Sequence, residues 1–137
     1  MLLPLFAAFA PFILWLVEVF LPYPHIVEEL AKAIFIYPTV KYKSTSQRIV
    51  SGVIFGCIFA FSESIFYLFS IYGFGQAPII FIQRLALTSL LHCLTSVIIA
   101  VNSLDKKWLR LAVAVTLSIA IHYLYNTYLQ GETLQVN

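Results

Sequence analysis

Charge is what this sequence has least of. Asp, Glu, Lys and Arg make up 10% of its 137 residues, against about 25% in a water-soluble domain. So few charges cannot cover a water-facing surface, which excludes a soluble helical protein. The net charge of +2 leaves no basic stripe for nucleic acid, so no nucleic-acid partner is expected. Cys57 and Cys93 are the only cysteines. They stand far apart in apolar runs, with no CxxC and no Cys/His cluster, so they read as small buried hydrophobes and define no redox compartment. The first 22 residues contain no Lys or Arg, so the basic leading region of a secretory signal is missing. That stretch reads as a retained first helix rather than a cleaved leader. Internal repeats, low-complexity linkers and an HExxH pair are absent too. No serine or cysteine nucleophile has a base at a matched spacing.

What remains is apolar. The hydrophobic fraction is 61%, the aromatic fraction 16% and the mean hydropathy +0.93. Five hydrophobic segments follow, at about Leu2–Leu21, His25–Val40, Ile49–Tyr72, Ile79–Ser103 and Leu111–Leu129. The breaks are "PYP" at 22–24, "KYKSTSQR" at 41–48, "GFGQAP" at 73–78 and "LDKKWLR" at 104–110. A span needs about 20 apolar residues. The second segment is short and polar for one, and the other four are long enough. The fold class expected is all-α, a multi-pass transmembrane helical bundle of about five segments, forming one domain over residues 1–137. Lys41, Lys43 and Arg48 flank one loop, and Lys106, Lys107 and Arg110 flank another. Two spans separate these loops, so they share a side, which the positive-inside rule makes cytoplasmic.

Most of the other ionisable residues then lie within membrane segments, where they are costly, face the protein interior and are functional candidates. In "EELAK" (28–32), Lys32 is i+4 from Glu28 and i+3 from Glu29. It can pair with one carboxylate and leave the other free. The bland reading is a salt bridge at the end of an interfacial helix. Glu63 is the one charge of the third segment. Ala60, Gly56 and Gly52 share its face, and the GxxxG pair predicts close helix packing there. Tyr67, one turn on, can donate to Glu63. Arg84, Thr88, His92, Thr95 and Ser96 form a polar stripe on the fourth segment. His122 and Asn126 are i,i+4 on the fifth, with Ser118 one turn before. Such a pair can hold water or an oxyanion, or simply bond a neighbouring helix. At the helical rise, Glu63 lies ~14 Å and His122 ~12 Å from their outer helix ends, but His92 about 21 Å. On depth, His92 fits least well.

The motifs EExxK (Glu28–Lys32), FxxxE (Phe59–Glu63), a histidine on the next helix (His92) and HxxxN (His122–Asn126) occur in this order. In that order they resemble the PrsW-type intramembrane proteases, which are related to the CAAX prenyl endopeptidase/Abi superfamily. The resemblance covers about residues 27–126. It implies an endopeptidase in the cell membrane of a prokaryote, acting on membrane-anchored protein substrates. It also implies Glu28 as the water-activating base, with Glu29 paired to Lys32 or supporting the site. Glu63 would stand where related proteases place a histidine, and His122 and Asn126 would bind water and stabilise the oxyanion.

Two mechanisms compete. In one, Glu28 takes a proton from water with histidine assistance, and no cofactor is required. In the other, Glu63, His92 and His122 hold Zn²⁺ and Glu28 or Glu29 is the base. With no short-range ligand pair in the sequence, the metal-free version is favoured. Arg84, Tyr67 and Lys32 are supporting residues in either. The rival classes are a proteolytically inactive membrane scaffold and a small ion- or proton-coupled transporter subunit, the latter needing to oligomerise.

Overall fold

The computed structural model describes residues 2–18, 20–21, 23–73 and 78–133. They form five helices: α1 (Leu2–Glu18), α2 (Pro24–Val40), α3 (Thr45–Gly73), α4 (Pro78–Asn102) and α5 (Trp108–Thr133). No strand occurs among the described residues. Helices α3, α4 and α5 are long and apolar enough to cross a bilayer. Helices α1 and α2 have 17 residues each, about 25 Å of helix, which is short of a full span. Helix α1 stops at Glu18, three residues before the expected end of its segment. The outward faces carry Phe9, Ile13, Trp15 and Leu16 on α1, Phe61 on α3, and Leu90 on α4. Such extensive apolar exposure belongs against lipid, and the chain is an integral membrane protein.

Helix α3 starts four residues earlier than its hydrophobic run. The Gln47 amide donates to Ser44 Oγ at 3.4 Å, and the Ser44 amide donates to Gln47 Oε1 at 3.1 Å. This reciprocal capping box satisfies two amides that a helix N-terminus leaves open. Arg48, read from the sequence as a topology charge, also closes the preceding helix. Its Nε donates to the Val40 carbonyl at 3.2 Å and its Nη2 to the Lys41 carbonyl at 3.1 Å.

The tightest packing is between α3 and α4. A Cβ on Gly56 would lie 2.5 Å from Cys93 N, Cys93 Cα and the His92 carbonyl. One on Gly52 would lie 2.8 Å from Val97 Cα. Both glycines let the two backbones touch, as the GxxxG spacing predicts. The same approach sets Cys57 Sγ 3.2 Å from Cys93 Sγ. Cys57 is exposed and Cys93 half-buried, so the expectation of two buried, isolated thiols is corrected. Helix spacing unites residues 36 positions apart that no linear motif connects.

Helix α1 lies on α3 and α2 with Leu3, Ala7 and Ala10 buried, and Ser62 Oγ on α3 donates to the Ala8 carbonyl at 2.5 Å. Helix α2 packs against all four others. Its buried residues are Glu28, Glu29, Ala31, Lys32, Ala33, Ile36 and Val40. A helix this polar survives at membrane depth because its charges meet protein groups rather than lipid.

Candidate active site

Glu29 and Lys32 are three residues apart, so α2 presents them side by side. Lys32 Nζ donates to Glu29 Oε1 at 2.7 Å. It also donates to Thr95 Oγ1 at 3.0 Å and lies 2.6 Å from His92 Nδ1, both on α4. Written as an ammonium, Lys32 has three protons and three acceptors. Its Nζ lies over the Phe59 ring, 5.1 Å from the centroid, and Phe59 in turn packs at a tilt against His92, centroids 4.9 Å apart. The ion pair is thus closed off on every side.

The hydrogen bonds then assign the two imidazoles. With Nδ1 accepting from Lys32, His92 carries its proton on Nε2 and donates to Glu63 Oε2 at 2.5 Å. His122 Nδ1 donates to Glu29 Oε1 at 2.9 Å, which leaves His122 Nε2 with a lone pair. The rings sit edge to face, with centroids 5.4 Å apart. Glu28 Oε2 is 4.0 Å from Nε2 of each histidine. That separation is too long for direct hydrogen bonds and suits one small species between the three groups.

Glu28, Glu29, Glu63, His92, His122 and Lys32 therefore meet in one cluster. His92 is central to it, against the depth expectation, for two reasons. Helices α3 and α5 run past their hydrophobic segments, which moves Glu63 and His122 deeper. Helical side chains also lean toward their own N-termini. On antiparallel neighbours, His92 leans outward while Glu63 and His122 lean inward, and the gap closes.

The remaining predicted residues stand apart. Asn126 is half-buried on α5 and makes no hydrogen bond to another described residue. Arg84 is two helical turns from His92 on α4. The side chain of Tyr67 lies outside the described residues. Two neighbours join the site without an expected role: His25, one of the intramembrane ionisable residues, and Tyr125, which went unpredicted. His25, one turn before Glu28, packs against His122 at 6.4 Å and Tyr123 at 5.5 Å. Tyr125 hydrogen-bonds Thr88 at 3.1 Å. Its i+3 spacing from His122 was the signal that could have found it.

The donor atoms group differently from the expected set of Glu63, His92 and His122. Glu28, His92 and His122, not Glu63, bring one ligand atom each to within 4.8 Å of one another, all buried. One carboxylate oxygen and two imidazole nitrogens are the donor types of a catalytic zinc, although His92 Nε2 would first have to release the proton it donates to Glu63. The Glu29 carboxylate accepts from His122 Nδ1, the kind of contact that orients an imidazole ligand. Tetrahedral bonds of about 2.1 Å put donors roughly 3.4 Å apart, whereas Glu28 Oε2 is 4.0 Å from each imidazole Nε2 and the three atoms lie within 4.8 Å of one another, so binding would draw them together by about 0.6 Å or more. Glu63 misses because His92 Nε2 holds it.

No curated protein and no solved structure matches the chain. A family model does match residues 6–136, nearly the whole chain. Four motifs on separate helices, gathered into one buried carboxylate–imidazole cluster, are thus accounted for: the chain belongs to the PrsW family of intramembrane metalloproteases.

Proposed function

We propose that the chain hydrolyses peptide bonds of membrane-anchored proteins where Glu28 Oε2, His92 Nε2 and His122 Nε2 converge. The observation that carries this reading is the 4.0 Å spacing of Glu28 from both imidazoles. Three helices aim three donors at one point inside an apolar bundle. A divalent metal, zinc by its donor set, would be held by Glu28, His92 and His122, and would polarise a carbonyl and acidify a water. Glu29 and Lys32 fix the His122 tautomer. Glu63 is the most accessible of the three glutamates, with a side chain 20% exposed against 9% and 0%. It is the carboxylate positioned to take the proton from water and pass it to the leaving amine.

One observation favours a second, metal-free version. His92 Nε2 is already engaged by Glu63 at 2.5 Å, which leaves Glu28 to act as the base on a water beside His122. The loops at 41–48 and 104–110 lie on the cytoplasmic side, by their charge.

Elemental analysis and cleavage of a panel of single-span proteins co-reconstituted in proteoliposomes test the reading. The wild type should carry one zinc per chain and lose cleavage on chelation. Glu28→Gln and His122→Ala should lose both zinc and cleavage. Glu63→Gln should keep zinc but not cleavage. A zinc-free, chelator-resistant enzyme that Glu28→Gln inactivates selects the second version. Wild-type-like cleavage by Glu28→Gln overturns both, and ion flux without proteolysis points to a transporter.

A further inference from the structure

Peptide hydrolysis needs a donor for the carbonyl oxygen as it becomes an oxyanion. That donor must share a helix face with the converging groups and be able to turn its proton to a new acceptor. Lys32 fails, since Glu29, His92 and Thr95 take its three protons. Both histidine Nδ1 atoms are engaged as well.

The next turn outward on α4 and α5 holds another pair. Thr88 is i−4 from His92, and Tyr125 is i+3 from His122, so each shares the face of its histidine. Because α4 and α5 run antiparallel, both steps lead toward the same end of the bundle. There the two hydroxyls meet at 3.1 Å, with Thr88 buried and Tyr125 half-buried. The Tyr125 hydroxyl is also within electrostatic reach of Glu63 and Arg84. A hydroxyl rotor is free to turn to a new acceptor while Thr88 holds the oxygen in place.

We propose that Tyr125, positioned by Thr88, is a catalytic residue whose hydroxyl donates to the scissile carbonyl oxygen. This rests on the protease reading above. As the water oxygen bonds to the carbonyl carbon, the C=O π pair moves onto oxygen, which accepts the Tyr125 hydrogen bond. The tyrosine keeps its proton. Thr88 acts through its hydrogen bond to Tyr125 and is a positioning residue.

The test uses the full chain in proteoliposomes with a quenched fluorescent peptide carrying a membrane anchor. Tyr125→Phe keeps the ring. It should lower kcat about 100-fold, the loss expected for one oxyanion donor, with KM, zinc content and thermal midpoint unchanged. Thr88→Val should lower kcat roughly fivefold at unchanged KM, the worth of one neutral hydrogen bond. It tests the same chain of contacts should Tyr125→Phe unfold. A Tyr125→Phe enzyme with wild-type kcat, or one whose loss lies wholly in KM, overturns the proposal. If Glu28→Gln is inactive in that same assay, the protease reading stands while this one falls. If Glu28→Gln cleaves as the wild type does, the protease reading falls first.

Discussion

Lys32 is fully buried, and so is the Glu29 carboxylate it bonds. Removing one partner of such a pair strands the other charge, at a cost of about 3–5 kcal/mol. Lys32→Met should therefore lower the unfolding free energy by that amount. The double variant Glu29→Gln/Lys32→Met should recover part of it, which a detergent-denaturation double-mutant cycle would read. An additive cycle would show that the two do not interact. At this scale the sequence was half legible. Helical spacing alone brings Lys32 within reach of both glutamates. That it takes Glu29, leaving Glu28 for the histidines, depends on His122 arriving from 93 residues away, and no local pattern contains that.

Helices α3 and α4 are held together by absent side chains. A methyl on Gly56 meets backbone atoms of Cys93 and the carbonyl of His92, and backbone cannot rotate away. Overpacking costs about 1–3 kcal/mol, offset in part by alanine's helix preference of up to about 1 kcal/mol. Gly56→Ala should be destabilising and should also cut cleavage, because the displaced turn carries His92. Gly52→Ala should be milder on both counts, since its closest approach is 2.8 Å. Equal denaturation midpoints for the two variants would contradict this. Element existence was legible from hydropathy, and the GxxxG face from spacing. Element ends were not. The α3 start is set by the Ser44–Gln47 box, and α1 ends short of its apolar run.

The whole molecule has an asymmetric charge plan. Single cysteines in a Cys57→Ala/Cys93→Ala background should report it through a membrane-impermeant maleimide. Ser46→Cys and Lys106→Cys, both exposed, should label from one side, and Tyr23→Cys from the other. Labelling of Ser46→Cys and Lys106→Cys from opposite sides would refute the arrangement of three full spans. The order of helices along the chain was legible, because loops and apolar runs alternate. The placement of α2 among all four others was not, because it follows from tertiary contacts of its charged face.

That placement bears on how the protein is made. Helix α2 leaves the ribosome before α4 and α5, yet the groups that receive its charges sit on them. A charge at mid-bilayer costs about 2.5–3.5 kcal/mol even on an insertion-based scale, and α2 carries three. During synthesis the receiving groups are missing until α4 and α5 exist. Residues 24–40 must therefore wait at the membrane surface or in the insertion machinery and enter late. Chain order and assembly order diverge, and a chain cut short before α5 would be left with an orphan helix that cells recognise as unfinished.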